Sequence, residues 1–184
     1  MIYFPEEDSF LLEKYVRAFL RKSLWEKKFD IGTRKVLDMG TGSGILAKTA
    51  LENTEDVLAV DIDEDAVRYA TRQGINARKS DLFSNVNGKF DVIIFNPPYL
   101  PSSKYKDIAL DGGKRGYEVI ERFLKDAGKY LNKNGIILLL YSSLSKPRRI
   151  KDIIKENGLI EEILEDKKVA FEKLYVVKLK KKDF

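Results

Sequence analysis

The sequence of 184 residues contains neither cysteine nor histidine. The absence of cysteine excludes disulfide bonds, thiolate zinc sites and cysteine nucleophiles. The absence of histidine removes the commonest general base, the commonest metal ligand and every Ser-His-Asp triad. We therefore predict no metal site, and any chemistry must depend on carboxylates, amides, hydroxyls, backbone groups or a bound cofactor.

Long apolar runs and a strong excess of one charge are also missing. No stretch approaches the roughly 18 apolar residues of a membrane-spanning helix, and the N-terminus lacks a basic region followed by an apolar core. We therefore predict no membrane span, no secretion and a cytoplasmic location. The 34 basic and 29 acidic residues give a net charge of +5, which permits a nucleic-acid partner without demanding one.

Apolar runs alternate with amphipathic stretches along most of the chain. The predicted strands cover 36–37, 57–60, 75–78, 90–95, 136–141, 159–164 and 174–181, and the predicted helices cover 5–28, 45–51, 66–72, 114–131 and 147–157. This alternation is typical of a doubly wound α/β domain, in which helices cover both faces of a mostly parallel sheet. We predict one domain over residues 1–184, divided into an N-terminal helical segment (1–33) and a core (34–184).

A glycine-rich loop follows the first core strand and opens a helix. Its sequence is Asp38-Met39-Gly40-Thr41-Gly42-Ser43-Gly44, and Ile45 stands where a dinucleotide-binding loop has its last glycine. The loop could be a structural turn, but glycines let a backbone approach a ligand closely, and we expect Gly40 and Gly42 to do so. An aspartate before the loop suits a cationic ligand. The aspartate and the glycine spacing together resemble the first motif of class I S-adenosylmethionine (SAM) methyltransferases, whose cofactor carries a sulfonium and an ammonium.

Two further aspartates follow predicted strands. Asp61, after the second strand, can accept hydrogen bonds from both ribose hydroxyls of an adenosyl group. Asp61 could instead cap the next helix, but Asp63 is better placed for that role. Asp81, after the third strand, could accept a hydrogen bond from an adenine amino group, or it could simply form a turn.

The fourth predicted strand ends in Asn96-Pro97-Pro98-Tyr99. The prolines stop the strand and make the loop rigid, and an asparagine side chain offers both a donor and an acceptor. The Asn96 oxygen and the Pro97 carbonyl can each accept one N–H of a planar amino group, and Tyr99 can pack on its plane. A plain turn remains an alternative. We predict that Asn96, Pro97 and Tyr99 are catalytic, because fixing both N–H groups of the acceptor aims its nitrogen lone pair at a methyl donor.

The tetrad resembles the signature of methyltransferases that act on glutamine or adenine amino groups. The segment Pro5-Glu6-Glu7-Asp8-Ser9-Phe10-Leu11-Leu12 resembles the N-terminal motif of HemK-type protein-glutamine methyltransferases, in particular their short archaeal and eukaryotic branch. The segment 111–120, with Gly112-Gly113, resembles the same branch, although it could be only the turn before a helix. The resemblance implies a seven-stranded, mostly parallel sheet with a terminal antiparallel strand.

The resemblance also implies a function and a set of contacts. Enzymes of this family methylate the glutamine of the Gly-Gly-Gln motif in class I translation termination factors, or peptide chain release factors. A small zinc-binding activator often pairs with the third strand, here an edge strand at residues 74–79. By local reasoning Ser9 would be only a helix N-cap, but the resemblance adds it to the residues that contact SAM, namely Ser9, Asp38, Gly40, Asp61, Asp81, Leu82 and Asn96.

Two other functions remain open at this stage. The same clamp could serve N6-methylation of adenine in DNA or RNA, but the sequence has no recognition domain and little basic excess. The chain could also be a SAM-binding scaffold without activity, although binding SAM does not require Asn96-Pro97-Pro98-Tyr99. Segment 100–111 fits no family pattern, so the acceptor (glutamine, adenine or lysine) is the least determined feature.

Overall fold

The computed structural model describes residues 3–21, 34–102 and 110–182. The helices and strands of these residues are α1 (Glu7–Leu20), β1 (Val36–Met39), α2 (Ile45–Leu51), β2 (Val57–Asp61), α3 (Glu64–Arg72), β3 (Ala77–Lys79), β4 (Phe90–Phe95), α4 (Glu118–Ala127), β5 (Leu131–Ser142), α5 (Pro147–Glu156), β6 (Leu159–Val169) and β7 (Glu172–Lys181). Short 3-10 turns follow α4 and β5, at Gly128–Tyr130 and Ser143–Ser145.

The strands form one seven-stranded sheet in the order β3-β2-β1-β4-β5-β7-β6. The pairs from β3 to β5 are parallel, and β7 runs antiparallel to both β5 and β6. This confirms the predicted fold class. The chain moves outward from β1 to β3 and then returns to the other side of β1 at β4, so the carboxyl ends of β1 and β4 flank the topological switch point, where such sheets bind ligands.

Continuous burial of the central strands explains their apolar sequences. All four residues of β1 are buried, and β4 is buried except at Asp91. Alternate side chains enter two cores, one beneath α4 and α5 and the other beneath α1, α2 and α3. Among the described helices, none has the length and apolar surface that crossing a bilayer requires.

Several element boundaries differ from the sequence-based predictions. The helix predicted over 114–131 begins at Glu118, because Gly113 and Gly116 have positive φ angles and the Glu118 carboxylate accepts the N–H of Arg115 at 3.0 Å. Strand β5 begins at Leu131 rather than at 136, since Leu131 pairs with Phe90 ahead of a register shift. Helix α1 ends at Leu20, and the rest of the helix predicted to residue 28 lies outside the described residues.

Candidate active site

A cavity of about 570 Å³ opens at the carboxyl ends of β1, β2 and β4. Its volume lies within the range of small-molecule and cofactor sites. The predicted site residues that line it are Gly40, Gly42, Asp61, Asp81, Leu82, Asn96, Pro97 and Tyr99. Two other predicted residues, Asp38 and Ser9, are not part of the cavity wall; both are buried.

The glycine loop bends over the end of β2 in a backbone conformation that residues with a side chain rarely adopt. Gly42 and Gly44 have φ angles of +50° and +81°, a region that L-residues with a Cβ rarely adopt. A Cβ on Gly44 would lie 2.6 Å from the Ile75 side chain, and one on Gly42 would lie 3.3 Å from the Tyr3 carbonyl. The N–H of Thr41 donates to the Val60 carbonyl at 3.0 Å, which ties the loop to β2.

Asp38 is fully buried behind this loop. Its Oδ2 accepts hydrogen bonds from the Thr41 hydroxyl at 2.7 Å and the Ala47 N–H at 3.2 Å, whereas its Oδ1 has no hydrogen-bond partner among the described residues. Burial raises the pKa of Asp38 to about 7, against the two hydrogen bonds, and the neighbouring Asp61 adds to the rise. The carboxyl is therefore poised to ionise for a cationic ligand.

Asp61 ends β2 with its carboxylate fixed by the backbone. Its Oδ2 accepts the Gly42 N–H at 2.8 Å and its Oδ1 accepts the Asp63 N–H at 2.9 Å. Burial raises the pKa of Asp61, and these hydrogen bonds lower it in part. Each carboxylate oxygen keeps capacity for another donor, so the group could still receive hydroxyls. Asp63 caps α3 by accepting the Asp65 N–H at 2.9 Å, as the sequence predicted.

Asp81 and Leu82 form the far wall of the cavity. Asp81 Oδ2 accepts a hydrogen bond from Arg122 at 2.7 Å, a contact that the sequence did not predict. Leu82 has a φ of +49°, a conformation that costs on the order of 1 kcal/mol for a residue with a Cβ. A strained residue in a cavity wall is typical of a ligand-contacting position, which supports its place among the predicted site residues.

The side chain of Asn96 is held by the carboxylate of Asp8, in the N-terminal helix α1. Its Nδ2 donates to Asp8 Oδ2 at 3.1 Å and to the Ser9 hydroxyl at 3.4 Å. Its Oδ1 is buried and, within the described part of the chain, accepts no hydrogen bond. An ionised carboxylate can only accept, so Asp8 fixes which side of the amide carries the N–H group. The Asn96 oxygen is therefore free to accept from another group.

Asp8 is also the acceptor for two tyrosines in the cavity wall. The Tyr3 hydroxyl lies 2.9 Å from both Asp8 oxygens, and the Tyr99 hydroxyl donates to Oδ2 at 3.3 Å. Burial, and next the Asp8 charge, raise the pKa of both tyrosines, so they remain protonated donors. Ser9 supports the same carboxylate through its N–H at 2.6 Å from within α1, where Glu6 is the N-cap; the local alternative of a Ser9 cap is wrong.

The Gly112-Gly113 segment packs directly beneath the Asn96–Tyr99 loop. A Cβ on Gly112 would lie 2.8 Å from the Pro98 carbonyl and 2.9 Å from the Tyr99 Cα. The Gly112 N–H donates to the Leu100 carbonyl at 2.9 Å. The segment is thus a support for the loop as well as the turn before α4. Within the predicted loop 100–111, residues 103–109 lie outside the described residues.

The sequence missed Asp8 and Tyr3 as site residues. Asp8 stands in the recognised N-terminal motif, but an acidic residue near a helix start also suits the helix dipole, and nothing local distinguishes the two roles. Its contact with Asn96 spans 88 residues of chain. Tyr3 carries no local signal, because its role depends on where Asp8 and Gly42 lie after folding.

The polar groups of this site fit SAM, a ligand with an ammonium, a sulfonium and two ribose hydroxyls. The carboxyl groups of Asp8 and Asp61 are among those that line the wall, and the carboxyl group of Asp38 is buried directly behind it. The Asp38 oxygen that has no partner among the described residues can receive a charged donor, and Gly40 and Gly42 line the cavity without a side chain between their backbone and a ligand. The described residues can therefore hold this cofactor.

Comparison with known proteins identifies the family. The chain matches the family model for the methyltransferase small domain over residues 18–169. It is 37% identical to a protein of Methanocaldococcus jannaschii that is named provisionally as a protein N5-glutamine methyltransferase, over 96% of this chain and 90% of that protein. It is 29% identical to the release factor glutamine methyltransferase of Agrobacterium fabrum over 72% of this chain, but it spans only 52% of that protein.

A solved structure agrees with these relatives. A chain in the E. cuniculi Mtq2–Trm112 complex, responsible for the methylation of the eRF1 translation termination factor, is 29% identical and superposes with a TM-score of 0.76 over 99% of both chains. The motifs in the sequence, the sheet order and these similarities all agree. The chain therefore belongs to the methyltransferase small domain family and, within it, to the HemK-type protein-glutamine N5-methyltransferases, which are SAM-dependent enzymes.

Proposed function

We propose that this chain methylates the side-chain amide nitrogen of a glutamine, the one in the Gly-Gly-Gln motif of a class I translation termination factor. The observation that carries the proposal is the state of Asn96. Its oxygen is buried without a partner among the residues described, while its nitrogen is anchored by Asp8. A buried acceptor left open at the end of a strand is costly unless a ligand supplies the donor.

The clamp solves the chemical problem that an amide nitrogen presents. Its lone pair is conjugated with the carbonyl, so the nitrogen is a poor nucleophile until it is held in place. The Asn96 Oδ1 would accept one N–H and the Pro97 carbonyl the other, with the ring of Tyr99 against the amide plane. Such orientation can contribute up to roughly 7–11 kcal/mol. The nitrogen can lose its proton after the transfer, so a histidine-free site suffices.

The cofactor residues would act beside this clamp. Bound SAM supplies an electrophilic methyl group. Gly40 and Gly42 would let the backbone approach the methionine part, and Asp38 would offset its positive charge from directly behind the loop. Asp61 would accept the ribose hydroxyls, and the adenine would lie near Asp81 and Leu82, which line the same cavity. Because Arg122 already bonds one Asp81 oxygen, only the other oxygen would remain for the adenine amino group. Ser9 would position these groups without lining the cavity, because its N–H donates to Asp8 and its hydroxyl accepts from Asn96.

The choice of glutamine in a termination factor rests on the relatives. The A. fabrum relative is named as a release factor methyltransferase, and the E. cuniculi complex methylates eRF1. The test is transfer of radiolabelled methyl from SAM to a purified class I termination factor, beside its Gln-to-Ala variant in the Gly-Gly-Gln motif, with DNA and RNA in parallel. We expect label on the factor that disappears with the variant. Label on nucleic acid alone would establish adenine methylation instead.

The exposed edge of the sheet offers a place for an activator subunit. Strand β3 lies at one end of the sheet, and its backbone bonds β2 through the Asn76 carbonyl and the Ser80 N–H. Since successive residues of a strand bond to opposite sides, the N–H of Ala77 points away from β2. A partner strand could pair there, and the E. cuniculi relative is in complex with Trm112. We infer that a small zinc-binding activator occupies this edge.

Proline at position 77 tests the activator site. Ala77→Pro removes an outward N–H while leaving the bonds of Asn76 and Ser80 to β2 in place. We expect co-purification with the candidate activator to be lost and the gain in activity on mixing to fall at least about tenfold. SAM affinity of the isolated chain should stay within a few fold. If wild-type protein forms no complex and gains no activity, the inference is wrong.

A further inference from the structure

The turn between β6 and β7 places an exposed aromatic side chain at the edge of the sheet where the cavity opens. Phe171 is 99% exposed, more than any other large apolar side chain among the described residues. Strand β7 pairs antiparallel with β5, and Leu174 lies opposite Ser142 at the carboxyl end of β5. The turn therefore stands on the same edge of the sheet as Asn96, which follows the end of β4.

Hydrogen bonds fix the turn against the end of β5. The Ser142 hydroxyl donates to the Glu172 carboxylate, and the Lys173 N–H donates to the Ser143 hydroxyl at 3.0 Å. Ser142 is buried and Glu172 is half-buried, so the first of these bonds is partly shielded from solvent. These bonds hold the segment that follows Phe171, and the Phe171 side chain extends from it into solvent.

Two further contacts join residues near the turn to residues of, or next to, the active site. The Ser145 hydroxyl, two residues after Ser143, donates to the Tyr99 carbonyl at 2.9 Å. On the other flank, Lys167 of β6 lies 4.0 Å from Glu7, the neighbour of Asp8 in α1. The turn therefore lies near the Asn96–Tyr99 loop, where the acceptor would bind.

Three side chains of the turn, those of Lys168, Phe171 and Lys173, do little for the isolated fold. An exposed phenyl ring contributes no burial, and Lys168 lies directly opposite Lys173 in the hairpin, an arrangement of like charges that destabilises a strand pair. Asp166 offsets this partly, at 3.4 Å from Lys173. Aromatic side chains, including Phe, are enriched at the core of protein interfaces, and the rim around that core is polar.

We propose that the turn formed by residues 168–173 docks on the folded acceptor protein next to its acceptor loop. Phe171 enters an apolar recess of that protein, and Lys168 and Lys173 face acidic groups around the recess. The inference rests on the proposed protein substrate. A nucleic acid fits less well, because residues 159–181 carry six lysines and five carboxylates rather than a basic surface.

The test compares Phe171→Ser with a matched control, Ile160→Ser. Ile160 is 46% exposed on the same hairpin, but it pairs with Lys180 at the end far from the cavity. With intact termination factor as substrate, we expect Phe171→Ser to raise KM about tenfold and to change kcat less than twofold. Methylation of a short Gly-Gly-Gln peptide, which cannot reach the turn, and the Kd of SAM should both remain unchanged. Phe171→Leu should restore most of the loss.

Each other outcome overturns the proposal in a distinct way. If wild-type enzyme labels the factor and Phe171→Ser has the same KM as wild type, the docking role is wrong and the proposed function stands. If wild-type enzyme does not label the factor at all, both are wrong. If Phe171→Ser raises the KM for the peptide as much as the KM for the factor, Phe171 affects the active site itself and the docking role is wrong. If wild-type protein binds a single-stranded RNA probe and Phe171→Ser does not, the turn contacts nucleic acid instead.

Discussion

Replacing Asn96 with alanine is expected to lower kcat by about a thousandfold or more while leaving the Kd of SAM within a few fold. The variant removes an oxygen that accepts no hydrogen bond within the described structure and that would hold the acceptor amide. It leaves the glycine loop and Asp61 in place. Single-turnover methyl transfer and SAM binding by calorimetry, measured on the same preparation, separate the two effects.

The matched control is Asn157→Ala. The Asn157 side chain also donates a hydrogen bond, to the Ile153 carbonyl at 2.8 Å, but Asn157 lies at the end of α5 and outside the cavity lining. We expect this variant to keep wild-type turnover. If Asn96→Ala lost SAM affinity and turnover in the same proportion, Asn96 would be a structural residue of the cofactor site and the amide clamp would be wrong.

Asp8 extends this argument to the group behind Asn96. Without its carboxylate, the Asn96 amide can rotate and turn its N–H groups toward the donors of the substrate. We expect Asp8→Ala to lower kcat by about 10- to 100-fold, less than Asn96→Ala does. Asp8→Asn keeps one oxygen that can accept the Asn96 N–H, and it should recover part of the activity.

The features of this protein that could be predicted from the sequence are those that depend on residues adjacent in the chain. The glycine loop after β1, the cap at Asp63 and the rigid end of β4 each depend on residue types within one short segment. The sheet could be predicted because its buried strands are continuous apolar runs. The roles assigned to Asn96 and Asp61 are predictions from the chemistry of amide and carboxylate groups.

The unpredicted parts depend on distance in the chain or on competing local forces. Helix α4 begins at Glu118, later than predicted, because the glycines before it adopt positive φ angles. The Glu118 carboxylate also accepts the N–H groups of that turn. The ion pair of Asp81 with Arg122 joins two segments 41 residues apart. The bond between Asp8 and Asn96 is the extreme case, since either residue alone has an adequate local explanation.

Asp38→Asn is expected to make the protein more stable and at the same time weaken its binding of SAM. The pKa of Asp38 is about 7 in the fold, against 3.8 for an ordinary aspartate, chiefly because of burial. The folded state thus binds the proton more tightly than the unfolded chain. The resulting stabilisation is complete below pH 4 and is lost as the pH rises through about 7, a change on the order of 4 kcal/mol for this group.

Asparagine carries no charge and escapes this loss. At pH 8 we expect Asp38→Asn to raise the free energy of unfolding by about 2 kcal/mol, less than the full linkage value because its amide leaves a buried N–H without an acceptor. Its Kd for SAM should rise at least tenfold, since the charge that faces the cation is gone. For wild-type protein, affinity should be about tenfold weaker at pH 6 than at pH 8, because ionised Asp38 is rarer.

Urea unfolding and SAM titration between pH 5.5 and pH 8.5 check both expectations. Asp152→Asn, which changes an exposed carboxylate on α5, is the control and should leave both profiles unchanged. A variant at Asp38 with wild-type SAM affinity at every pH would mean that the residue only anchors the loop through Thr41 and Ala47. A gain in stability together with a loss of affinity would show that the buried charge is maintained for the ligand at the expense of the fold.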